Sequence, residues 1–257
     1  MKIGDKYEVT QAYKDANVFI CGCEYEIEDI KGYGGIDKHL YIDEDHSLRN
    51  NGKEFKSSPQ TFESTVEQFK FLHQCLKLGP KPFTDRTSIH VHVNVTNLTL
   101  SQARQFVLCY ALFEPLFFNY VGEIRKNSIF CVPLSYTYVP ETYRLEFPKM
   151  VTNWHKYTAL NILCVQQFGT IEFRHMYGTA DVDKFKFWLQ SIKDLWDFIY
   201  ESPDFSLIKT LENDDNLRNL ADLIVPTISM HWTEVPLRTL CKDSLLDVKL
   251  SSGIFVK

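Results

Sequence analysis

Polar and apolar residues along this chain follow two rhythms, one of period two and one near period 3.6, which mark strands and helices respectively. Residues 18–30 alternate with strand period, setting Glu24, Glu26 and Glu28 on one face and Cys23, Tyr25 and Ile27 on the other. A Gly-rich loop follows at Gly32, Gly34 and Gly35. Residues 39–58 read as a hairpin, HLYIDED and KEFKSS, with a turn near Asn50, Asn51 and Gly52, because Asn-Gly between strand-like runs is a strong turn signal. Pro59 closes that unit. Helical spacing then runs through residues 60–78, at Phe62, Val66, Phe69, Leu72 and Leu76, until Gly79 and Pro80 stop it. In SIHVHVNV the strand period returns, with His90, His92 and Asn94 opposite Ile89, Val91, Val93 and Val95.

LTLSQARQFVLCYALFEPLFFNYV reads as a long helix, apolar nearly all round and therefore buried, with Ser101 as its N-cap and a kink or break at Pro115. Residues 156–175 form two strand-like pieces meeting near Phe168 and Gly169, and IEFRH sets Glu172 and Arg174 opposite Ile171, Phe173 and His175. An amphipathic helix is predicted from about Asp181 to Tyr200, with Phe185, Trp188, Leu189 and Ile192 on its apolar face, and one more helix around 210–225. No repeat, low-complexity tract or linker interrupts the pattern. One α+β domain over residues 1–257 is expected, helical from 181 onward.

Composition narrows the partners. The 257 residues, 44% of them hydrophobic, suffice for a substantial core. A net charge of −5 argues against broad binding to nucleic acid or to an anionic membrane, so neither partner is expected. The seven cysteines include no CxxC pair and sit mostly among apolar neighbours. That pattern fits free thiols in a reducing compartment better than a disulfide framework, and cysteine-rich zinc chemistry is not indicated. The N-terminus carries no signal-like apolar run, and no stretch is long enough to span a bilayer, so a cytoplasmic location is expected.

Four strand-like segments carry metal-competent or charged residues on one face: Glu24, Glu26 and Glu28; Glu54; His90, His92 and Asn94; and Glu172 with Arg174. Each alone has a bland explanation as a solvated sheet face, a water-facing histidine pair or a surface ion pair. On one common sheet they would instead line a cavity able to hold divalent cations. Carboxylates are hard ligands suited to Mg²⁺ or Mn²⁺, and an imidazole is accepted more easily by Mn²⁺. Magnesium commonly accompanies phosphate, and Arg125 and Arg174 would then stabilise transferring phosphoryl oxygens or grip a carboxylate. No Walker motif, GxSxG elbow, HExxH or dinucleotide fingerprint occurs.

The order of these motifs carries a resemblance. GCEYEIE resembles the G-x-E-x-E opening strand of the amidoligase family of carboxylate–amine ligases, which are similar in fold to glutamine synthetase and glutamate–cysteine ligase. DEDHSLRNNGKEFKSSP resembles that family's acidic hairpin, SIHVHVNV its His-Val-His-Val strand, EIRKNSIFC its R-x-N segment, and KYTALNILCVQQFGTIEFRHMYGT its block ending in G-T-I-E-F-R and G-T. Together the matches span roughly residues 20–180. His46 stands where glycine is usual and Lys156 where arginine is common.

The resemblance implies a curved, mostly antiparallel sheet forming a funnel backed by helices. It also implies ATP-dependent formation of an amide from a carboxylate, through an acyl phosphate that an amine attacks. Carried onto this sequence, Glu26 and Glu54 would bind one cation, and Glu24, His90 and Glu172 the other. Arg174 would face the γ-phosphate, and Arg125 the phosphate or the substrate carboxylate. His92 and Asn161 would line the nucleotide or substrate pocket, and Glu28 would sit at the rim. The carboxylate and amine partners stay open among cell-wall peptides, amino acids, polyamines and protein side chains. A degenerate ligase fold that only binds a nucleotide or metabolite, and a metal-dependent hydrolase using the same cluster, are the competing readings. The family is common in phage and bacterial genomes, so the location would be host cytoplasm if the protein is phage-encoded.

Overall fold

The structure is a computed structural model and describes residues 1–9, 13, 16–36, 38, 40–213 and 216–253. Its strands are β1 (Ile20–Ile27), β2 (Ile30–Tyr33), β3 (Leu40–Asp43), β4 (Lys53–Ser57), β5 (Gln60–Thr61), β6 (Leu76–Leu78), β7 (Ser88–Asn94), β8 (Leu160–Asn161) and β9 (Thr170–Tyr177). The helices are α1 (Ile3–Lys6), α2 (Phe62–Cys75), α3 (Leu100–Val121), α4 (Glu123–Lys126), α5 (Phe147–Thr152), α6 (Val182–Glu201), α7 (Leu207–Asn213), α8 (Leu217–Ile224), α9 (Pro226–Ser229), α10 (Glu234–Leu240) and α11 (Lys242–Ser251). The main sheet is antiparallel throughout, in the order β3-β4-β1-β7-β9-β8, with β5 also pairing β1; β2 and β6 form a separate ribbon. This is the expected α+β architecture, a curved antiparallel sheet that does not close and is backed by helices.

Period-two alternation decides which face the helices cover. Cys21, Cys23, Tyr25 and Ile27 of β1, Ile89, Val91 and Val93 of β7, and Ile171 and Phe173 of β9 are all buried in the core. Phe69 of α2 stacks on Phe185 of α6 at 4.2 Å, and Tyr25 meets both rings. Phe106, Tyr110 and Phe117 of α3 surround Phe173. The opposite face carries the charged residues.

Several boundaries differ from the sequence pattern. β1 stops before Glu28, because Asp29 turns into the left-handed region at φ 51° and the chain restarts as β2. The helix expected to reach residue 78 ends at Cys75, and Leu76–Leu78 becomes β6 because β2 offers it a partner. The N-cap of α3 is Thr99, not Ser101: the Thr99 and Gln102 side chains cap each other's backbone N–H. It continues through Pro115 without ending, held by packing on all sides. Among the described residues, the last part of the chain holds five short helices where one was expected. His39, at the head of the expected hairpin, and residues 214 and 215, within the helix expected at 210–225, lie outside the described residues. Among the described residues, no helix is long and apolar enough to cross a membrane.

Candidate active site

Antiparallel register brings distant segments together on the open face. Glu24 pairs with His90 on one side and Lys56 on the other, and Glu26 pairs with Glu54. His92 pairs with Glu172, which in turn pairs with Asn161. Between the pairs Ile89–Met176 and Val91–Phe173, one residue of β7 (His90) faces two of β9 (Arg174 and His175), so β9 carries a bulge. The bulge lets Arg174 keep the open face while both His175 and Met176 enter the core.

Two donor sets result. In the first, ligand atoms of Glu24, His92 and Glu172 lie within 4.8 Å of one another. His92 Nε2 stands 3.6 Å from Glu24 Oε1 and 3.9 Å from Glu172 Oε1, buried and without a hydrogen bond. An orphaned buried nitrogen facing two carboxylate oxygens, too distant for direct bonds, is the geometry a shared cation completes. The second set is Glu26, Asp45 and Glu54, oxygen donors only. His90 lies between them: Nδ1 is 3.1 Å from Glu24 Oε2 and 3.4 Å from Glu172 Oε1. Its Nε2 is 2.9 Å from Ser88 Oγ, which donates to Glu26 Oε2 at 2.5 Å. The three-membered set thus contains His92 where His90 was expected, and His90 braces both sets. Period two could place the two imidazoles on one face but not rank them.

The electrostatics of the two sets differ. Burial would raise the Glu24 carboxyl, but the hydrogen bond with His90, the nearby His92 imidazole and the positive charge of the two rings hold it well below the usual range. At Glu172 burial is likewise outweighed, by His90, His92, Arg174 and the Asn161 amide, and its pKa is lowered. Burial works to lower His92, yet the Cys164 thiol, Glu24 and Glu172 together raise it well above the ordinary imidazole value. Glu54 goes the other way: burial and the charges of Glu24 and Glu26 raise it, with Lys56 opposing. Unit charges about 4 Å apart interact by roughly 4 kcal/mol at an effective dielectric near 20, so a single lysine shared between acids leaves the second set short of positive charge. Lys56 Nζ is indeed divided, at 2.7 Å from Glu54 and 2.8 Å from Asp43.

The remaining expected residues take definite places. Arg174 pairs with Glu172 through Nη1 and donates from Nε to the Phe130 carbonyl at 3.0 Å. Arg125, expected at a phosphate or substrate carboxylate, lies instead beneath the floor, 2% exposed. Gly122, at φ 83°, ends α3 and turns the chain into α4, which delivers Arg125 to β9. There its Nε and Nη2 donate to the carbonyls of His175 and Arg174 at 2.9 and 2.7 Å, clamping the bulge that aims Arg174. Asn161, expected along the nucleotide, orients Glu172 with a 2.8 Å bond from Nδ2 while accepting from the Leu163 N–H. Glu28 is not at a rim: 1% exposed, it accepts from the Arg49 N–H at 2.7 Å and the Thr84 hydroxyl at 3.0 Å, tying two loops together.

Sequence reasoning missed Asp45, Lys56 and Cys164. Asp45 sits in the acidic run DED, and Lys56 follows Glu54 in strand period, so both had a local signal. Cys164 had none. A cavity of about 410 Å³ opens beside the first set, lined by Glu24 and His92 together with Val9, Ile20, Phe168 and Thr170.

A family model described as "putative amidoligase enzyme" matches residues 35–196, more than half of the chain. The chain belongs to the amidoligase family. Membership supports a ligase-type function for this amidoligase. The matched span includes Asp45, Glu54, both histidines, Asn161, Glu172 and Arg174. Glu24 and Glu26 lie upstream of it, and the register of β1 brings them to the same floor. No curated protein matches the chain.

Proposed function

We propose that this amidoligase forms an amide from a small-molecule or peptide carboxylate and an amine, with cleavage of ATP, using Mg²⁺ or Mn²⁺. The observation that carries this reading is the pair of donor sets on one sheet face, separated by His90, with a cavity of nucleoside size beside the first set. Carboxylate oxygens and the orphaned His92 nitrogen fit divalent cations. Glu24, His92 and Glu172 would hold one, and Glu26, Asp45 and Glu54 the other. Cations held there would supply positive charge for phosphate oxygens.

The chain's own groups do the rest. The apolar walls at Val9, Ile20 and Phe168 accept the base of the nucleotide and exclude water. Arg174, held at its carbonyl by Arg125 and at its side chain by Phe130 and Glu172, stabilises charge on the γ-phosphoryl group as it leaves ADP. The phosphoryl group joins the substrate carboxylate; the amine then attacks that carbonyl carbon, the amide C–N bond forms, and phosphate leaves with loss of a proton from nitrogen. Charge stabilisation and positioning account for catalysis, with no covalent enzyme intermediate.

The test is release of ADP and phosphate by the full chain with Mg²⁺, dependent on both a carboxylate and an amine and abolished in Glu172→Ala. ATP binding without turnover across amino acids, polyamines and peptides would sink the ligase reading in favour of a binding module. ATP-independent cleavage of an amide or phosphoester would replace it with a hydrolase.

A further inference from the structure

His175 is an unusual residue for its place. The bulge in β9 sends it and Met176 together to the helix face, where its ring is fully buried against Tyr110, Phe118 and Trp188. One ring nitrogen, Nδ1, has no hydrogen-bond partner. An apolar side chain would fill that place without the cost of burying a polar ring, so stability alone does not account for a histidine there. What the imidazole adds is a directed bond. Its Nε2 lies 2.6 Å from the Tyr110 hydroxyl, which donates at 2.8 Å to Glu114 Oε1, one turn further along α3. Glu114 also accepts from the Leu134 N–H, at 3.0 and 2.9 Å to its two oxygens. Because the Tyr110 proton goes to Glu114, His175 Nε2 carries the ring proton and donates to the Tyr110 oxygen.

This chain of bonds reaches the residue beside Arg174. Arg125 holds the carbonyls of Arg174 and His175 at 2.7 and 2.9 Å, which fixes where the bulge lies. The Arg174 N–H donates to the Ala159 carbonyl at 2.9 Å, and its Nε to Phe130. The His175 ring points to the other side of the strand from Arg174, so anchoring it fixes how the bulge is rotated about the strand axis. We infer that Tyr110 and Glu114 are positioning residues for Arg174, acting through the His175 ring to set the direction of its guanidinium on the open face. The inference rests on the proposed role of Arg174 at the transferring phosphoryl group. Both residues are buried on α3, across the sheet from the donor sets, and neither meets a substrate.

The test compares the full chain carrying Tyr110→Phe, which removes a single oxygen, with the wild type. Its kcat should fall roughly 10- to 100-fold with the KM for ATP unchanged, because lost alignment is felt in the transition state and not at the base. Arg174 is also read without turnover. Phenylglyoxal modification, mapped by mass spectrometry, should reach it several-fold faster in Tyr110→Phe, as its bonds to Glu172 and Phe130 loosen. Glu114→Gln, which keeps an acceptor oxygen for Tyr110 and Leu134, should retain most of the kcat that Glu114→Ala loses. A Tyr110→Phe chain with a lower Tm but unchanged kcat and unchanged Arg174 reactivity overturns the positioning role and leaves a structural one. A wild type without ligase turnover sinks the ligase reading, and the Arg174 modification rates still decide the positioning. Should Tyr110→Phe fail to fold, long-range nitrogen–proton correlation spectra of the wild-type histidines decide the matter. His175 as the Nε2–H tautomer supports the bond to Tyr110, and the Nδ1–H tautomer overturns it.

Discussion

Glu172 and Phe173 are neighbours on β9, and both are buried to within a few per cent, yet they belong to different environments. At the first donor set on the open face, buried groups stay charged because they find opposite charge: Glu24 and Glu172 are lowered by the imidazoles, and His92 is raised by the carboxylates. On the helix face the same burial drives groups neutral. His175, enclosed by Tyr110, Phe118 and Trp188, is pushed well below the ordinary imidazole value by burial and by the Arg125 charge. Glu114 on α3 is raised to about 7 by burial, although the Leu134 N–H and Tyr110 hydroxyl donate to it. What separates the two faces is not depth but the supply of counter-charge.

The sharpest way to break this contrast is to exchange one residue on each side of β9. Glu172→Ala should lower ligase turnover roughly 10⁴-fold, about 5 kcal/mol of barrier, with little change in Tm, measured as amine-dependent ADP release. Phe173→Ala should do the reverse, costing about 4 kcal/mol of stability in denaturant unfolding while the folded fraction keeps its kcat. A loss of kcat in the folded fraction would show the two faces to be coupled rather than independent.

The next effect is a pH dependence. Glu114 has a folded pKa raised from 4.5 to about 7, so the folded state binds its proton more tightly than the unfolded state. Its contribution is fully present below pH 4.5 and is lost as pH rises through about 7, up to roughly 3 kcal/mol in all. In Glu114→Gln this slope should flatten in urea unfolding measured across that window. The smallest effect concerns Glu54, raised by burial and by its acidic neighbours. Glu54→Gln should stabilise the metal-free protein by about 1 kcal/mol and abolish the rise in Tm expected of the wild type on adding Mg²⁺. A lower Tm in metal-free Glu54→Gln would mean that Lys56 alone satisfies the second set.

Much of this was legible before any folding. Alternation in CGCEYEIE, SIHVHVNV and TIEFRH set the charged and apolar faces correctly, including the core position of His175. The helix pattern from Asp181 found α6, with Asp181 as its cap. The misassigned places share a cause. Glu28 keeps the period of the strand but lies beyond its end, and Leu76–Leu78 keeps the helical spacing but is taken by a strand partner. Local spacing cannot register where a remote partner ends an element.

The sequence by itself determined the two faces of each strand, the family motifs and the residue types able to hold cations, because side-chain direction follows from backbone period alone. Tertiary structure decided which of them meet. Register set Glu24 against His90 and placed His92 beside Glu172; the bulge kept Arg174 on the open face; and Arg125, expected at the substrate, became the clamp of that bulge. Cys164 joined the floor only because a 3-10 turn carries it back across Glu172. These are long-range pairings between segments far apart in the chain, and no periodicity within one segment encodes them.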